Sequence, residues 1–219
     1  MEQYRILAFI GPRSSTVRMF KNIILASAII VASTSTTQAG LKLKSIFNGK
    51  NLAGWEAPTG NAGIGWYKAA DGILKVRNGP NKKGSILWTK QSYRDFVIEF
   101  DFRFGDGVVD TGIHIRNSKE QIQIGISGSL KRDLTGSPYI AGKGYPVEAK
   151  GVAKLLKAKD WNTMKIKAVG KDYTVWLQGQ QVMTYRSDTA IEEGPLGIQL
   201  HGSRIMGVDF RNLRLAELP

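Results

Sequence analysis

The chain has 219 residues, 42% of them hydrophobic, which is enough for one all-β domain with a sizeable core and a leader. It contains no cysteine, which excludes disulfides, thiolate metal sites and a cysteine nucleophile. The formal net charge of +13 favours attraction to polyanions. No arginine-rich arm, helix-turn-helix or zinc-finger pattern accompanies that charge, so we expect no nucleic-acid partner.

Residues 1–39 are typical of a signal peptide. A basic region ends at Lys21, and the apolar stretch Ile23–Ala32 follows; its about ten residues are too few for a membrane-spanning helix, which needs ~20. Thr37-Gln38-Ala39 forms a small-x-small cleavage site. A start at Met19 and an uncleaved N-terminal anchor are the alternatives. We expect a secreted or periplasmic protein with no stable membrane insertion after cleavage.

Residues 40–219 alternate apolar and polar side chains, the pattern of half-buried β-strands. In Phe96–Phe104 every second residue is aromatic or branched, and Glu99, Asp101 and Arg103 lie on the opposite face as a surface charge pairing. Turns containing Gly, Asn or Asp separate the strands. The remaining predicted strands are Ile73–Val76, Ser85–Thr89, Gly112–Arg116, Gln121–Ser127, Thr163–Val169, Tyr173–Leu177, Gln181–Tyr185, Leu196–Leu200 and Val208–Leu215. The pattern predicts a single all-β domain, an antiparallel two-sheet jelly-roll sandwich.

One long segment, Gly128–Lys159, lacks this alternation, and only Val152–Lys159 within it favours a helical turn. Long loops in compact domains are usually functional or disordered, and the prolines and tyrosines here favour an ordered loop across one face. We expect Tyr139 and Tyr145 to be exposed there as sugar contacts. The tryptophans are expected to pack in the core.

Two histidines are the main candidates for acid–base chemistry, because imidazole titrates near neutral pH. His114 and Arg116 fall on the polar face of one strand, and Gln199 and His201 fall on the polar face of another. Arginine can stabilise an oxyanion, and glutamines suit hydrogen bonds to sugar hydroxyls. The residues expected to converge on one surface are His114, Arg116, Gln121, Gln123, Gln199 and His201. The alternative is a solvated polar sheet face without catalysis.

Four segments resemble, in order, the 3-keto-disaccharide hydrolase domain family. Ile46–Trp55 is similar to its opening "LFNGKDLSGW", Thr111–Arg116 to its "SGIFFR" strand, and Trp161-Asn162-Thr163 to its "WN" strand start. Gly194–Gly202 with Val208–Leu215 is similar to its ending "GPIGLQDHG…VxFRNIRI". The resemblance implies a concanavalin- or glucanase-like jelly roll that cleaves glycosides oxidised to a ketone at carbon 3. By this resemblance, four residues of this chain fall on positions that match the family's motifs: Arg116, Gln123, Gln199 and His201.

The sequence departs from this family where the strand "EVQILD" is expected. Gln121 replaces the glutamate and Ile126 replaces the aspartate, and Asp133 or Glu148 in the long segment would have to substitute for them. A divalent metal cofactor is therefore an alternative for which the sequence identifies no ligands. The sequence makes no prediction of the oligomeric state.

Two functions follow from these residues. The first is a hydrolase or lyase for 3-keto-glycosides, with His201 as acid or base, Arg116 as oxyanion clamp and His114 as a second candidate base. Gln121, Gln123, Gln199, Tyr139 and Tyr145 would bind the sugar. The alternative is a non-catalytic module that binds an acidic polysaccharide. The net charge favours it: the predicted leader has four basic residues and one acidic residue, so +10 of the +13 remains on residues 40–219.

Overall fold

A computed structural model describes residues 41–56, 65–78 and 80–219. The predicted signal peptide, residues 1–39, lies outside the described residues. The described residues form two antiparallel β-sheets, one short α-helix, α1 (Val152–Leu155), and a 3-10 helix (Pro80–Lys82), which confirms the all-β jelly-roll sandwich. Neither of these helices is long and apolar enough to cross a membrane.

The larger sheet, here called the back sheet, has eight strands in the order β12-β11-β10-β6-β14-β4-β3, with β1 also pairing to β14. Its strands are β1 (Lys44–Ser45), β3 (Tyr67–Ala70), β4 (Ile73–Arg77), β6 (Phe96–Gly107), β10 (Asn162–Val169), β11 (Asp172–Leu177), β12 (Gln180–Arg186) and β14 (Met206–Glu217).

The smaller sheet, here called the front sheet, has six strands in the order β2-β5-β13-β7-β8-β9. Its strands are β2 (Trp55–Glu56), β5 (Ser85–Tyr93), β7 (Asp110–Ile115), β8 (Glu120–Gly125), β9 (Pro138–Ile140) and β13 (Gly194–Leu200). The short strands β1, β2, β3 and β9 are those that the alternation did not predict.

The core lies between the two sheets, because each strand turns its apolar side chains inward. In β6, Phe96, Ile98, Phe100 and Phe102 are at most 1% exposed, as the alternation predicts. They belong to one apolar cluster with inward side chains of the front sheet, such as Ile113 and Ile122. With one face of each sheet buried in this way, strand register is fixed, since a slip of one residue would turn every apolar side chain outward.

The outer face of the back sheet carries ion pairs, as predicted for β6. Arg214 Nη2 lies 2.6 Å from Glu99 Oε1, and Arg103 Nη2 lies 2.9 Å from Asp209 Oδ2. Arg214 and Glu99 are both partly exposed, so their pair contributes little to stability. Asp209 is 4% exposed and lies between Arg103 and Arg77; burial alone would raise its pKa, but the two arginines hold the pKa below the ordinary value.

The long segment after β8 is ordered, as expected, and contains β9 and α1. Strand β9 pairs with β8, with Tyr139 opposite Gln121. The pairing brings the tyrosines of this segment to the edge of the front sheet.

Candidate active site

The outer face of the front sheet carries a row of side chains that lie directly opposite one another on neighbouring strands. Residues paired in this way share a face of the sheet. From β5 to β9 the row consists of Trp88, Gly197, His114, Gln121 and Tyr139. Gln123, opposite Gly112, and Gln199, opposite Ile86, lie on the same face because side chains two residues apart along a strand point the same way.

Glycines at two of these positions let neighbouring side chains lie close to the sheet. A Cβ atom on Gly197 would come within 2.6 Å of the Trp88 ring, and one on Gly112 within 2.9 Å of the Gln121 amide carbon. Such separations do not occur between real side chains, so larger residues here would displace Trp88 and Gln121. The glycines thus shape the floor of the site.

A cleft of about 210 Å³ opens on this face. It brings together five of the predicted sugar-binding residues and one predicted catalytic residue. The residues that line it are Asp110, Gln121, Gln123, Ser127, Gly128, Ser129, Tyr139, Tyr145, Gln199 and His201.

The floor of the cleft is a chain of amides that ends at a carboxylate. Gln121 Nε2 donates to Gln123 Oε1 at 3.1 Å, and Gln123 Nε2 donates to Asp110 Oδ1 at 2.9 Å. Gln121 Oε1 and Gln199 Oε1 are buried and accept no hydrogen bond from any residue that the structure describes. Buried polar atoms normally have partners, so these oxygens mark positions for the hydroxyl donors of a ligand or for water.

Asp110 is the charged centre of the cleft, and only 3% of it is exposed. Its Oδ2 atom lies 3.1 Å from Arg204 Nη1 and 3.7 Å from His201 Nε2. Burial in a low-dielectric surrounding strengthens these interactions relative to surface pairs. A base, a carboxylate and a guanidinium therefore meet at one end of the amide floor.

His201 has its ring orientation and tautomer set by the backbone. Its Nδ1 lies 2.7 Å from the carbonyl oxygen of Gly202, and because a carbonyl only accepts, Nδ1 carries the hydrogen. In the neutral ring Nε2 therefore carries the lone pair, and it lies 3.7 Å from Asp110 Oδ2 in the lining of the cleft. The side chain is 38% exposed, so substrate can reach it.

His114 lies on the predicted face but is buried, with 4% of its surface exposed. Within the described part of the chain, neither ring nitrogen forms a hydrogen bond of normal geometry. Burial lowers the pKa of His114 to about 4, and the nearby Glu120 backbone opposes this only in part. The ring is therefore neutral at neutral pH. Its centroid lies 5.6 Å from that of Trp88, and it does not line the cleft.

Tyr139 and Tyr145 form one wall of the cleft and are half-buried rather than fully exposed. Their rings meet edge to face with centroids 5.3 Å apart. Burial raises the pKa of the Tyr145 hydroxyl, so it stays protonated at neutral pH and can donate a hydrogen bond.

Arg116 is not in the cleft, so the expectation that it meets His201 on one surface is wrong. Strand β7 ends at Ile115, and Arg116 has a φ of 62°, which ends the alternation of side chains. Its guanidinium donates to the carbonyls of Arg94 at 2.7 Å, Gly170 at 2.6 Å and Ile191 at 3.0 Å. With its side chain 0% exposed, Arg116 joins segments of the sandwich and touches no open surface.

The carboxylates of the long segment do not supply the acid that Gln121 lacks. Glu148 is exposed and paired with Arg132, and Asp133 Oδ1 accepts from the backbone N–H of Thr135 at 2.9 Å. Within residues 41–56, 65–78 and 80–219, no group of three or more His, Asp or Glu side chains is placed to hold a metal ion.

Sequence reasoning missed Asp110 and Arg204. The alternation could have identified Asp110, since it lies four residues before His114 and therefore on the same face of β7. Arg204 lies between β13 and β14, and no periodic pattern predicts its position. The Arg204 side chain fits beside Gly128 because that residue has no Cβ; a Cβ there would lie 2.5 Å from Arg204 Nη2.

Comparison with solved structures shows the same fold at low sequence identity. A provisionally assigned glycosyl hydrolase from Parabacteroides distasonis is 23% identical, with a TM-score of 0.60 over 81% of this chain and 100% of that chain. A second one from the same organism is 18% identical, with a TM-score of 0.60 over 81% and 94%. The exoplasmic/lumenal domain of VIP36, bound to Ca²⁺ and Man3GlcNAc, is 10% identical, with a TM-score of 0.52 over 81% and 91%.

A comparison with curated proteins finds no match. The profile of the 3-keto-alpha-glucoside-1,2-lyase-like domain family matches residues 42–216, which confirms the resemblance of the four sequence segments. The two packed sheets and the likeness to these solved structures define a jelly-roll domain. The chain belongs to the 3-keto-alpha-glucoside-1,2-lyase-like domain family.

Proposed function

We propose that this protein is an enzyme that cleaves glycosides whose sugar carries a ketone at carbon 3. The observation that carries the proposal is the placement of His201 Nε2, 3.7 Å from Asp110, at the end of a floor of sugar-binding amides. Family membership supplies the substrate class, and the cleft supplies a base beside hydrogen-bonding groups.

The reaction follows from the acidity of the C2–H bond next to a ketone. A base removes the C2 proton, and the electron pair is delocalised onto the C3 oxygen as an enolate. The enolate then expels the C1 oxygen substituent, which leaves with a proton, and a C1=C2 double bond remains. Water adds back across this bond, with hydroxyl at C1 and hydrogen at C2. Such a path needs a base, an electrophile near the enolate oxygen and an acid for the leaving group.

His201 fits both proton-transfer roles. Its free Nε2 lone pair accepts the C2 proton, and the same nitrogen then gives a proton to the leaving oxygen. Once the ring is protonated, the Asp110 carboxylate is its counter-charge. General acid–base catalysis of this kind contributes about 10²- to 10⁴-fold in rate.

Arg204 takes the electrophilic role that the sequence had given to Arg116. Its Nη1 lies 3.1 Å from Asp110 Oδ2, and its Nε is buried with no hydrogen-bond partner among the described residues. A guanidinium beside the cleft can stabilise the enolate oxygen. Gln121 and Gln199, with their unpaired oxygens, accept hydrogen bonds from the sugar hydroxyls.

The test is cleavage of 3-keto-trehalose in D₂O. Elimination followed by hydration places one deuterium at C2 of the released 3-keto-glucose, whereas direct hydrolysis retains the original hydrogen. We expect deuterium at C2 by NMR, above the level in enzyme-free substrate and in 3-keto-glucose incubated with enzyme. His201→Ala should lower kcat by at least about 10²-fold.

The matched control is Lys167→Ala, an exposed residue on the back sheet that should leave kcat unchanged. Release of 3-keto-glucose with hydrogen retained at C2 would overturn the elimination mechanism. Absence of turnover with and without added divalent metal would overturn the enzyme proposal.

A second candidate function rests on the lysines of the long segment. Lys150, Lys154, Lys157 and Lys159 are exposed, and none forms an ion pair with a described residue, unlike Lys143, which pairs with Asp188. This surface would attract an acidic polysaccharide. Salt-sensitive binding to a sulfated glycan that His201→Ala does not change, in a chain without turnover, would favour the binding module.

A further inference from the structure

Trp88 is an aromatic side chain on the outer face of the front sheet that the proposed chemistry does not use. It lies in the same cross-strand row as Gln121, which lines the cleft, and is separated from it by Gly197 and His114. Trp55 and Trp66 are buried as predicted, whereas Trp88 keeps part of its surface exposed.

The Trp88 ring is held against the backbone of β13. A Cβ atom on Gly197 would lie 2.6 Å from Trp88 Cζ3 and 2.8 Å from Cε3, so the ring covers the position that a side chain would occupy. Because Gly197 has no side chain, the indole ring can pack directly on the backbone of β13. A ring fixed in this way loses little entropy when a ligand stacks on it.

His114 provides a polar group next to the ring. Only 4% of its surface is exposed. Among the described residues, the Glu120 backbone comes near the ring, but neither ring nitrogen forms a hydrogen bond of normal geometry. A buried imidazole that makes no hydrogen bond within the protein is uncommon, and it marks a position where a ligand hydroxyl or a water completes the bonding. Its ring lies tilted by 42° against Trp88, at 5.6 Å between centroids.

The row is wider than one sugar ring. Trp88 on β5 and Tyr139 on β9 are four strand spacings apart, about 19 Å at the usual separation of neighbouring strands. Asp110 begins β7 and His201 follows β13, two strands that lie between β5 and β9. Each is four residues, about 13 Å, along its strand from the row. A substrate whose reacting ring occupies the cleft can therefore place its leaving group toward Trp88.

We propose that Trp88, seated on Gly197 beside His114, is the stacking platform of a separate subsite for the sugar ring of the leaving group. This proposal rests on the proposed function, because it places the reacting 3-keto ring at His201. The apolar C–H face of a pyranose stacks on the indole, as apolar groups do on other aromatic side chains. A neutral His114 nitrogen bonds to a hydroxyl of the same ring or to a water that the ring holds.

The test compares two substrates in the full chain. In 3-keto-trehalose the leaving group is a glucose ring, and in methyl 3-keto-α-glucoside it is methanol. Trp88→Ala should lower kcat/KM for 3-keto-trehalose by about tenfold, mainly through KM, and should change that for the methyl glycoside less than twofold. Trp88→Phe should restore most of the loss.

Trp176→Ala is the matched control, since Trp176 is a half-buried tryptophan on the back sheet. An equal loss on both substrates, or the same loss in Trp176→Ala, would overturn the subsite while leaving the proposed function intact. Wild-type protein that cleaves neither substrate would overturn the proposed function instead. If Trp88→Ala does not fold, Trp88→Leu takes its place, because leucine fills part of the volume without an aromatic face. It should lower kcat/KM for 3-keto-trehalose relative to that for the methyl glycoside, and a ratio like that of wild type would overturn the subsite.

Discussion

The carboxylate of the cleft has a different position from the one that the family pattern predicts. The family pattern has glutamate where this chain has Gln121, on β8. In the structure the charge is found on the neighbouring strand β7, at Asp110, and the Gln123 amide links it to Gln121. An amide network can connect the two positions because each glutamine both donates and accepts. The departure at Gln121 therefore leaves the cleft with a negative charge.

His114 gives a prediction of stability against pH. The folded pKa of about 4 is below the ordinary value of 6.5, so the unfolded chain binds more protons between these values. Stability is then fully present above about pH 6.5, falls as the pH drops toward 4, and changes no further below it. The loss reaches at most about 3 kcal/mol.

Urea unfolding at a series of pH values from 7.5 to 4 measures this loss. His114→Leu removes the titrating group, so its free energy of unfolding should fall less steeply over the same range than that of the wild type. Thr184→Leu, at an exposed position of β12 with no titrating side chain, is the control and should keep the wild-type slope. Identical slopes for wild type and His114→Leu would contradict the assignment.

At the scale of elements, the end of the sandwich next to the β7–β8 turn is held by two buried charged residues. Arg116 bonds to the segments before β6, between β10 and β11, and before β13. Glu120, 1% exposed, accepts from Tyr173 at 2.6 Å, Ser187 at 2.9 Å and Thr189 at 2.6 Å. Both sheets are joined through these contacts, because Glu120 is on the front sheet and Tyr173 on the back sheet.

Arg116→Lys should therefore destabilise the fold and leave the chemistry intact. Lysine keeps the charge but cannot reach several carbonyls at once, and breaking a buried charged network costs about 3–5 kcal/mol. Urea unfolding measures the loss, and kcat of the folded fraction should stay near that of the wild type. Arg214→Lys, which affects an exposed pair with Glu99, should change stability by less than about 1 kcal/mol. Undiminished stability with kcat lowered about 10²-fold would return Arg116 to a catalytic role.

The strands of this fold were predictable because burial of one face imposes a period of two. Phe96–Phe104 and the strand containing Ile122 and Ile124 are examples, and both have the predicted face in the core. The alternation missed β1 and β2 because each has only two residues, which is too short for a period. Strand β9 begins with a proline and was hidden in the long segment.

The site was predictable only where it lies on regular strands. Gln121, Gln123 and Gln199 point as the alternation predicts. Arg116 does not, because a positive φ after β7 is set by contacts that are distant in sequence. Arg204 was missed for a similar reason: its loop is placed by long-range contacts, including the bond from the Val108 N–H to the Ile205 carbonyl.

At the scale of the whole molecule, the predicted leader determines where the enzyme would work. A 3-keto-glycosidase outside the cytoplasm would act on sugars before their uptake. A chain without cysteine needs no disulfide formation after export and can fold on its core alone, which the two packed sheets provide. Export is therefore a prediction from residues 1–39 alone.

Export with cleavage after Ala39 is the prediction that belongs to this scale. Expressed from Met1 in a bacterial host, the protein should appear outside the cytoplasm with Gly40 as its first residue, because Thr37-Gln38-Ala39 presents small side chains at the positions a signal peptidase reads. N-terminal sequencing and intact mass of the exported protein measure the site. Ala39→Lys should block cleavage and leave a larger, membrane-retained form, whereas Gln38→Lys, at the unrestricted middle position, should not. An intact Ile23–Ala32 segment in the wild-type product would instead identify an uncleaved N-terminal anchor, with the enzyme held at the membrane surface.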